Sequence, residues 1–245
     1  MLSENKKSLN TCRSKFERPK LSEPITVRIK FCKTGNLQFI SHLDLQRTFH
    51  RVLIRAKIPM WYTNGFNPHA KLVFAMPLSI GCESICEMAD LRIEREISNE
   101  EIKEQLNSQL TDEMYVMDVY SSERKFNDIA FAEYDITINS QKASDEYAKK
   151  INNLFSSPLT IIKKTKSGEK QEDITQYIKL IKAEYLNNKI NINTVLATGS
   201  VKNLNPEYII SAIKDNTDLF CGNLMQENYS VMRKKFFDSD MIEFM

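Results

Sequence analysis

The order of strand-like and helix-like segments constrains the fold of this 245-residue chain more than any other feature. Residues 25–31 alternate apolar and polar side chains, which is typical of a strand with one wet face. Residues 42–56 repeat apolar side chains at intervals of three and four, which predicts an amphipathic helix. Two strands, a second helix and another strand follow, in this order, at residues 71–78, 88–94, 98–110 and 114–120.

This order is that of a ferredoxin-like unit, in which two helices cover one face of a four-stranded antiparallel sheet. A comparable pattern begins again at residue 131, although residues 174–185 fit either a helix or a strand. The sequence therefore predicts an α+β fold of two tandem ferredoxin-like (βαββαβ) domains with antiparallel sheets, at residues 25–122 and 131–245. Residues 1–24 are predicted to be a disordered basic leader, and residues 121–130 resemble a linker.

Capping boxes mark the starts of both helices in the first half. Ser41 is followed three residues later by Asp44, and Ser98 is followed at the same distance by Glu101. In each case a hydroxyl is placed to accept a free backbone N–H of the first turn. The first helix is therefore expected to begin at about His42.

Charge is distributed unevenly along the chain, although its overall net charge is only +2. The first 80 residues carry 14 basic and 4 acidic side chains, whereas the remainder carries 20 basic and 28 acidic ones. Strand 25–31 adds to this asymmetry, because Arg28 and Lys30 are expected on its wet face. Such asymmetry indicates contact with a polyanion such as RNA, with an acidic protein, or with the chain's own acidic half.

Several function classes lack the residues that they need. Six glycines, dispersed through the sequence, form no phosphate-binding loop or dinucleotide fingerprint, and no cofactor is predicted. Five scattered cysteines are typical of a reducing compartment, and no apolar run is long enough to span a membrane. The expected location is therefore cytoplasmic. The pair Cys82 and Cys86 has no nearby Cys or His to complete a metal site, so buried thiols are the expectation.

Three arginines form the first candidate RNA-binding feature. Arg47, Arg51 and Arg55 follow one another at four-residue steps on one face of the first helix. Like charges at this spacing repel each other by about 0.2–0.5 kcal/mol per pair, which favours an anion bound over them. A solvated helix face without a ligand is the alternative.

The loop after this helix supplies the second candidate feature. It contains an aromatic ring, Phe66, between two turn-forming asparagines, which suits stacking on an unpaired base. The alternative is that this ring fills the turn. Trp61 and Tyr62 precede it and are expected either on the surface or beneath the loop. The predicted RNA-binding residues of this segment are Asn64, Phe66, Asn67, His69 and Lys71.

All three histidines of the chain lie between residues 42 and 69. His42 and His69 are candidates for the acid and base of metal-independent RNA cleavage, since histidine titrates near neutral pH. The alternative is that His42 orders its helix and His69 forms hydrogen bonds within its loop. No catalytic residue is assigned on this basis. His42, His69 and Asp44 form too loose a set to predict a metal site.

Four motifs, at residues 39–45 (FISHLDL), 65–69 (GFNPH), 77–81 (PLSIG) and 87–90 (EMAD), resemble the radical SAM-linked protein family. This is a bacterial group of unknown function, whose members resemble one another across roughly residues 25–235. Two positions depart from it. Ala70 stands where members often carry proline, and Asn205 stands where many carry arginine, which weakens any anion site in the second half.

The resemblance implies a partner rather than an activity. Such proteins are encoded beside, or fused to, a radical SAM enzyme, often near ribosomal and RNA-processing genes. This chain has Ala89 where a radical SAM cluster motif would continue with a third cysteine, so it would be the accessory protein. The main hypothesis is a non-catalytic RNA-binding protein that presents a structured RNA, such as tRNA or rRNA, to that enzyme.

Two other hypotheses stay open. One is a protein–protein adaptor subunit of the radical SAM enzyme that contacts no nucleic acid. The other is a metal-independent endoribonuclease of the repeat-processing type, because the expected fold also resembles that of CRISPR repeat endonucleases. No membrane and no small-molecule cofactor is expected in any of the three.

Overall fold

A sheet of eight strands organises the structure, a computed structural model that describes residues 18–165, 168–199, 202–220, 222 and 227–245. Within these residues, four α-helices and a separate two-stranded hairpin accompany the sheet. The fold is therefore mixed α+β and mostly antiparallel, as the sequence predicts, but the strands of both halves form one large sheet instead of two separate ones. None of the helices in this described part has the length and apolar character that a membrane crossing requires.

The first half of the chain contributes four strands and two helices. In its part of the sheet, strands run antiparallel in the order β4-β1-β3, and β2 pairs with the opposite edge of β3. The elements are β1 (Lys20–Lys33), α1 (His42–Arg55), β2 (Leu72–Phe74), β3 (Cys82–Arg95), α2 (Asn99–Asn107) and β4 (Val116–Tyr120).

The second half repeats this arrangement with an inserted hairpin. Its antiparallel strand order is β10-β5-β9-β8, while β6 and β7 pair only with each other. The elements are β5 (Phe131–Asn139), α3 (Asp145–Leu154), β6 (Thr160–Thr165), β7 (Gly168–Asp173), β8 (Ile178–Leu186), β9 (Lys189–Ala197), α4 (Glu207–Asn216) and β10 (Asn228–Phe237). In both halves, the first and third strands are central and the second and fourth lie outside them.

Strands β3 and β10 join the two halves into one sheet. They pair in parallel through Val231 with Cys82 and Arg233 with Ser84, on the edge of β3 opposite to β1. Apolar side chains of β3, such as Cys86 and Met88, belong to the same buried cluster as the second half. Strand β3 therefore joins the second half through backbone pairing and through part of its core, while other buried apolar side chains of the first half form a cluster of their own.

Several predicted boundaries are confirmed and others move. Helix α1 begins at His42, and residues 174–185, which the sequence leaves ambiguous, form a short 3₁₀ turn and most of strand β8. Strand β1 begins at Lys20, within the segment that the sequence assigns to the leader, because Lys20 already pairs with Arg95. Residues 1–17, the rest of that leader, lie outside the described residues.

The prediction that Arg28 lies on a wet face is wrong, since this residue is 2% exposed. Its guanidinium forms two hydrogen bonds to the carboxylate of Asp90, at 2.8 and 3.1 Å. It also lies 4.2 Å from the ring centroid of Phe126, which belongs to the expected linker, and 5.3 Å from that of Phe244. Residues 121–130 and the C-terminal segment therefore cover this face of the sheet, which periodicity within β1 alone does not reveal.

A buried ion pair lies where the halves meet. Arg233 of β10 is 1% exposed, and its Nη2 and Nε atoms donate to Oε1 of Glu87 at 2.5 and 3.2 Å. Burial opposes the charge of Arg233, but the neighbouring Glu87 carboxylate more than offsets this and raises the pKa of Arg233. Nη2 also donates to the carbonyl oxygen of Met76 at 3.0 Å, so the same side chain fastens the β2–β3 connection.

Asparagine side chains protect both outer strands of the sheet. Asn107 of α2 bonds the N–H and the C=O of Val116 in β4, at 2.7 and 3.0 Å. Asn152 of α3 does the same for Ala183 in β8, with both distances at 2.8 Å. At these positions the edge backbone is already satisfied, so it is not available to pair with a strand of another chain.

Replacing Glu87 with Gln is expected to destabilise the protein by about 3–5 kcal/mol, because Arg233 would stay buried without a counter-charge. Urea unfolding provides the measurement. The matched control is Glu146→Gln, which removes an exposed i,i+4 pair with Lys150 and should cost less than about 1 kcal/mol. Equal losses in the two variants would contradict the structural role of the buried pair.

Candidate nucleic-acid interface

The orientation of α1 follows from its capping and its apolar face. The Ser41 hydroxyl accepts the Asp44 amide N–H at 3.1 Å, as the capping box predicts. The helix then buries a row of apolar side chains against the sheet, namely Leu45, Phe49, Val52 and Leu53. Because these residues occupy the inner side, the three predicted arginines lie on the opposite, solvent-facing side.

Arg47, Arg51 and Arg55, which we call the arginine face, are all exposed. Arg47 has an ion pair with Asp44 at 3.4 Å, but both side chains are more than half exposed, so the pair stabilises by less than about 1 kcal/mol. Arg51 and Arg55 have no ion pair with any carboxylate of the described residues. The arginine face therefore retains positive charge that the described part of the chain does not neutralise.

Three other basic residues of the first half are not available to an anion. Arg18 is buried and pairs with Glu101, and Arg28 pairs with Asp90. Lys33 is 2% exposed, and its ammonium donates to the carbonyl oxygen of Leu37 at 3.3 Å. Burial lowers the pKa of Lys33 below its ordinary value. The usable cationic surface is thus smaller than the count of charges in the sequence indicates.

Residues 61–71 form a projecting loop that we call the aromatic hairpin. Its sides are held by a bridge between Tyr62 and Ala70 and by the hydrogen bond from the Thr63 N–H to the His69 carbonyl, at 3.0 Å. Gly65 has a φ of +143°, a conformation that other residues rarely adopt, and it turns the chain before Phe66. The side chain of Phe66 is fully exposed at the tip.

The remaining predicted residues of the hairpin are also on the surface. Asn64, Asn67, His69 and Lys71 are all exposed. Nδ1 of His69 lies 3.0 Å from the carbonyl oxygen of Asn67, and Oγ1 of Thr63 accepts the His69 amide at 3.2 Å. His69 therefore forms hydrogen bonds within its loop, which is the alternative that the sequence left open.

Arg92 is a cation of this region that sequence reasoning missed. Its guanidinium lies 5.0 Å from the ring centroid of the half-buried Trp61, and its backbone N–H donates to the Lys71 carbonyl at 3.1 Å. Its Nε atom is buried and has no hydrogen-bond partner among the described residues. The period of two along β3 could have predicted that Arg92 shares a face of the sheet with Asp90. Its contact with Trp61 of the aromatic hairpin depends on the fold and could not be predicted in this way.

The two histidines considered for catalysis have separate contacts. Nε2 of His42 lies 3.1 Å from Nε2 of Gln46, and its ring meets that of Phe74 edge-on at 5.5 Å. The contacts described for His42 and His69 do not include each other.

Among the described residues, no three His, Cys, Asp or Glu side chains form a group suited to a metal ion. Cys82 and Cys86 are buried on β3, as expected, and burial raises their pKa values to about 11 and about 12. Both thiols therefore stay protonated at neutral pH, a state that favours neither nucleophilic attack nor metal binding.

An exposed apolar surface lies beside the start of α1 and was not predicted. Phe39, Leu43 and Ile80 are 64%, 53% and 59% exposed. The Gly81 N–H donates to the Gln38 carbonyl at 3.0 Å, which brings the β2–β3 connection next to the segment before α1. We call these three side chains the apolar surface. Large contiguous apolar patches mark protein-binding sites, whereas single exposed apolar side chains are common.

Comparisons with known proteins give one family match. The model of a family described as "Uncharacterized protein conserved in bacteria (DUF2344)" matches residues 26–206. No curated protein matches the chain.

Two solved structures are similar at 10% sequence identity. One is a chain of a Cbf5-Nop10-Gar1 complex, with a TM-score of 0.45, covering 86% of this chain and 48% of that chain. The other is an unknown protein from Galdieria sulphuraria, with a TM-score of 0.26, covering 86% and 99%. The chain thus spans about half the length of the first of these structures.

Replacing Phe66 with Ala is expected to change the free energy of unfolding by less than about 0.5 kcal/mol, because the ring contacts solvent. Phe49→Ala is the matched comparison, since Phe49 is completely buried, and it should cost about 3–5 kcal/mol. Chemical denaturation of both variants tests the difference. A large loss in Phe66→Ala would mean that this ring supports the fold.

Proposed function

Because the chain belongs to the family described as uncharacterized proteins conserved in bacteria (DUF2344), a description that assigns no activity, we propose a function from its own surfaces. The protein is a non-catalytic RNA-binding accessory protein that presents an RNA substrate to a radical SAM enzyme. The RNA-binding part of this proposal derives from the arginine face and the aromatic hairpin. The enzyme partner derives from the four sequence motifs that resemble the radical SAM-linked family.

We also assign each half of the chain to the ferredoxin-like class. The support is the strand order, which has the first and third strands in the centre of both halves, together with the two helices that each half contributes. The inserted hairpin β6–β7 and the pairing of β3 with β10 are additions to that plan.

The observation that carries the RNA-binding proposal is the combination of unneutralised charge and an exposed ring. Arg51 and Arg55 have no carboxylate partner among the described residues, and the aromatic hairpin begins six residues after Arg55. Phe66 at its tip gains nothing from exposure to water. Phosphates neutralise arginines and an unpaired base covers an aromatic ring, so a single-stranded or looped RNA satisfies both features at once.

Unstacked bases favour RNA loops over duplex DNA as the ligand. A ring at a hairpin tip reaches a base only where that base is not already stacked in a helix. Structured RNAs such as tRNA and rRNA present such bases in loops and bulges. Arg92 and Lys71, which lie at the base of the hairpin, extend the cationic region toward the nucleotides that would follow.

The apolar surface supports a docking site for the partner enzyme. Three large apolar side chains on one exposed area lose contact with water when a protein covers them, which is favourable by about 25 cal/mol per Å². This surface alone would suit the second candidate function, an adaptor subunit that contacts no nucleic acid. The two candidates differ only in whether the arginine face and the hairpin bind RNA. The endoribonuclease hypothesis has no supporting contact between the two histidines.

RNA affinity should fall steeply with salt, because binding releases counterions from the phosphates. Arg51→Gln is expected to weaken binding of total RNA across sequences and to reduce the slope of log K against log[salt] by about 1. Titrations by fluorescence anisotropy between about 50 and 200 mM salt provide the measurement. Lys149→Gln, an equivalent change on the exposed side of α3, is the control and should leave the slope unchanged.

Phe66→Ala and Phe39→Ala separate the two surfaces, because each removes one exposed phenylalanine. We expect Phe66→Ala to weaken RNA binding by about 1–3 kcal/mol without changing the salt slope, since stacking involves no phosphate. Phe39→Ala should leave RNA binding unchanged and weaken association with a radical SAM enzyme, the partner that the family resemblance implies. If the wild-type protein binds that enzyme but shifts no RNA at low salt, the adaptor is the correct function.

A further inference from the structure

A cavity of about 320 Å³ lies between the two halves of the chain. Its walls come from the β2–β3 connection through Leu78 and Ser79, from the start of β3 through Cys82, from β5 through Tyr134, and from the connection to α4 through Asn205. The volume is within the range of small-molecule sites, about 300–1,000 Å³. None of the predicted RNA-binding residues lines it.

The buried ion pair holds one wall of this cavity in place. Arg233, which is fixed by Glu87, donates to the carbonyl oxygens of Met76 and Pro77 at 3.0 and 3.5 Å. The opposite wall is ordered by the Asn205 side chain, whose Oδ1 accepts the Glu207 amide at the start of α4 at 3.0 Å. Both walls are therefore formed before any ligand arrives, which lowers the entropy cost of binding.

Among the described residues, no charged side chain lines the cavity. Burial raises the pKa of Tyr134 above its ordinary value and that of Cys82 to about 11, so phenol and thiol are both neutral. Glu207 stands close enough to Cys82 to contribute to that shift, and its negative charge disfavours a phosphate at this end of α4. The cavity is thus suited to an uncharged ligand.

Both hydrogen-bonding and apolar side chains line the cavity. The Ser79 hydroxyl and the Nδ2 group of Asn205 donate to no other side chain or carbonyl among the described residues, so both are available to a ligand. Leu78 and Pro206 provide apolar contacts beside them. A flat ring with donors and acceptors on its edge and apolar faces matches this pattern, and amide side chains are common partners of base edges.

We propose that this cavity binds a single nucleobase, presented either as a free nucleoside or as an unpaired base of an RNA. The nucleoside form is independent of the function proposed above, whereas the RNA form rests on it. The β2–β3 connection that lines the cavity is hydrogen-bonded to the segment before α1, through the Gly81 N–H and the Gln38 carbonyl. This hydrogen bond ties the cavity wall to the segment that leads into α1, the helix that carries the arginine face.

Calorimetric titration of the full chain with adenosine, guanosine, cytidine and uridine tests the inference. We expect saturable 1:1 binding of at least one nucleoside. Asn205→Asp keeps the Oδ1 acceptor that caps α4 but replaces the NH₂ donor with a carboxylate oxygen, so affinity should fall about tenfold or more. Asn127→Asp, a substitution at an exposed asparagine outside the cavity, is the matched control and should have no effect.

A second variant and a second ligand separate the sources of the base. Ser79→Ala removes one donor without affecting a helix cap and should also weaken binding. A pentanucleotide RNA is the second ligand. If it binds and both Asn205→Asp and Ser79→Ala weaken its binding, while no free nucleoside binds, the cavity takes an unpaired base of a bound RNA. Nucleoside binding should be indifferent to Arg51→Gln, because it involves no phosphate.

The inference is overturned if neither nucleosides nor the pentanucleotide bind in a way that depends on Asn205 or Ser79, or if Asn127→Asp has the same effect. An RNA that Arg51→Gln releases but that both cavity variants retain would leave the RNA-binding function intact and refute the cavity alone. If the wild-type protein binds nucleosides in a way that depends on Asn205 and Ser79 but binds no RNA, the cavity inference stands and the RNA-binding function is refuted.

Discussion

The ion pair between Arg233 and Glu87 is the interaction on which the arrangement of the two halves depends. It joins strands β10 and β3 at a place from which water is excluded, and a charge left alone there would cost several kcal/mol. The guanidinium also binds two carbonyl groups of the β2–β3 connection. One side chain of the second half therefore determines the conformation of a loop in the first half, and with it one wall of the cavity between them.

The same long-range packing decides which charges remain available for a ligand. Arg28 lies in a strand with an amphipathic pattern, but its guanidinium is covered by the segment after β4 and by the C-terminal segment. It donates to the Arg124 carbonyl and lies against the rings of Phe126 and Phe244. Arg51 and Arg55 remain on the solvent side of α1, since that helix has its inner side occupied by apolar residues. The proposed RNA-binding surface is consequently one helix face and one hairpin, and not the whole basic first third of the chain.

Three surfaces with different chemistry lie near the start and end of α1. The arginine face is cationic, the Phe39–Leu43–Ile80 surface is apolar, and the cavity behind the β2–β3 connection is uncharged. An accessory protein that presents RNA to an enzyme requires separate areas for phosphates, for a base and for the partner. Their separation means that single substitutions can remove one contact and leave the others intact.

The sequence by itself determined those features that depend on neighbouring residues. The Ser41 cap, the buried face of α1 and the alternation of β5 each follow from hydrogen bonds or periodicity within about a dozen residues, and all three are present in the structure. Of the candidate site, the exposure of the arginine face follows from the helical period of α1, whereas the exposure of Phe66, which the sequence leaves open, is a finding of the structure.

Only the tertiary structure decided how distant segments meet. Arg233 and Glu87 are 146 residues apart, so no local sequence pattern predicts their ion pair. The pairing of β3 with β10 involves only three residue pairs and is equally hidden from local patterns. The burial of Arg28, the position of Arg92 beneath Trp61 and the cavity between the halves have the same origin. Periodicity tells which side of a strand or helix is apolar, but the identity of the group that covers it depends on contacts between residues far apart in the chain.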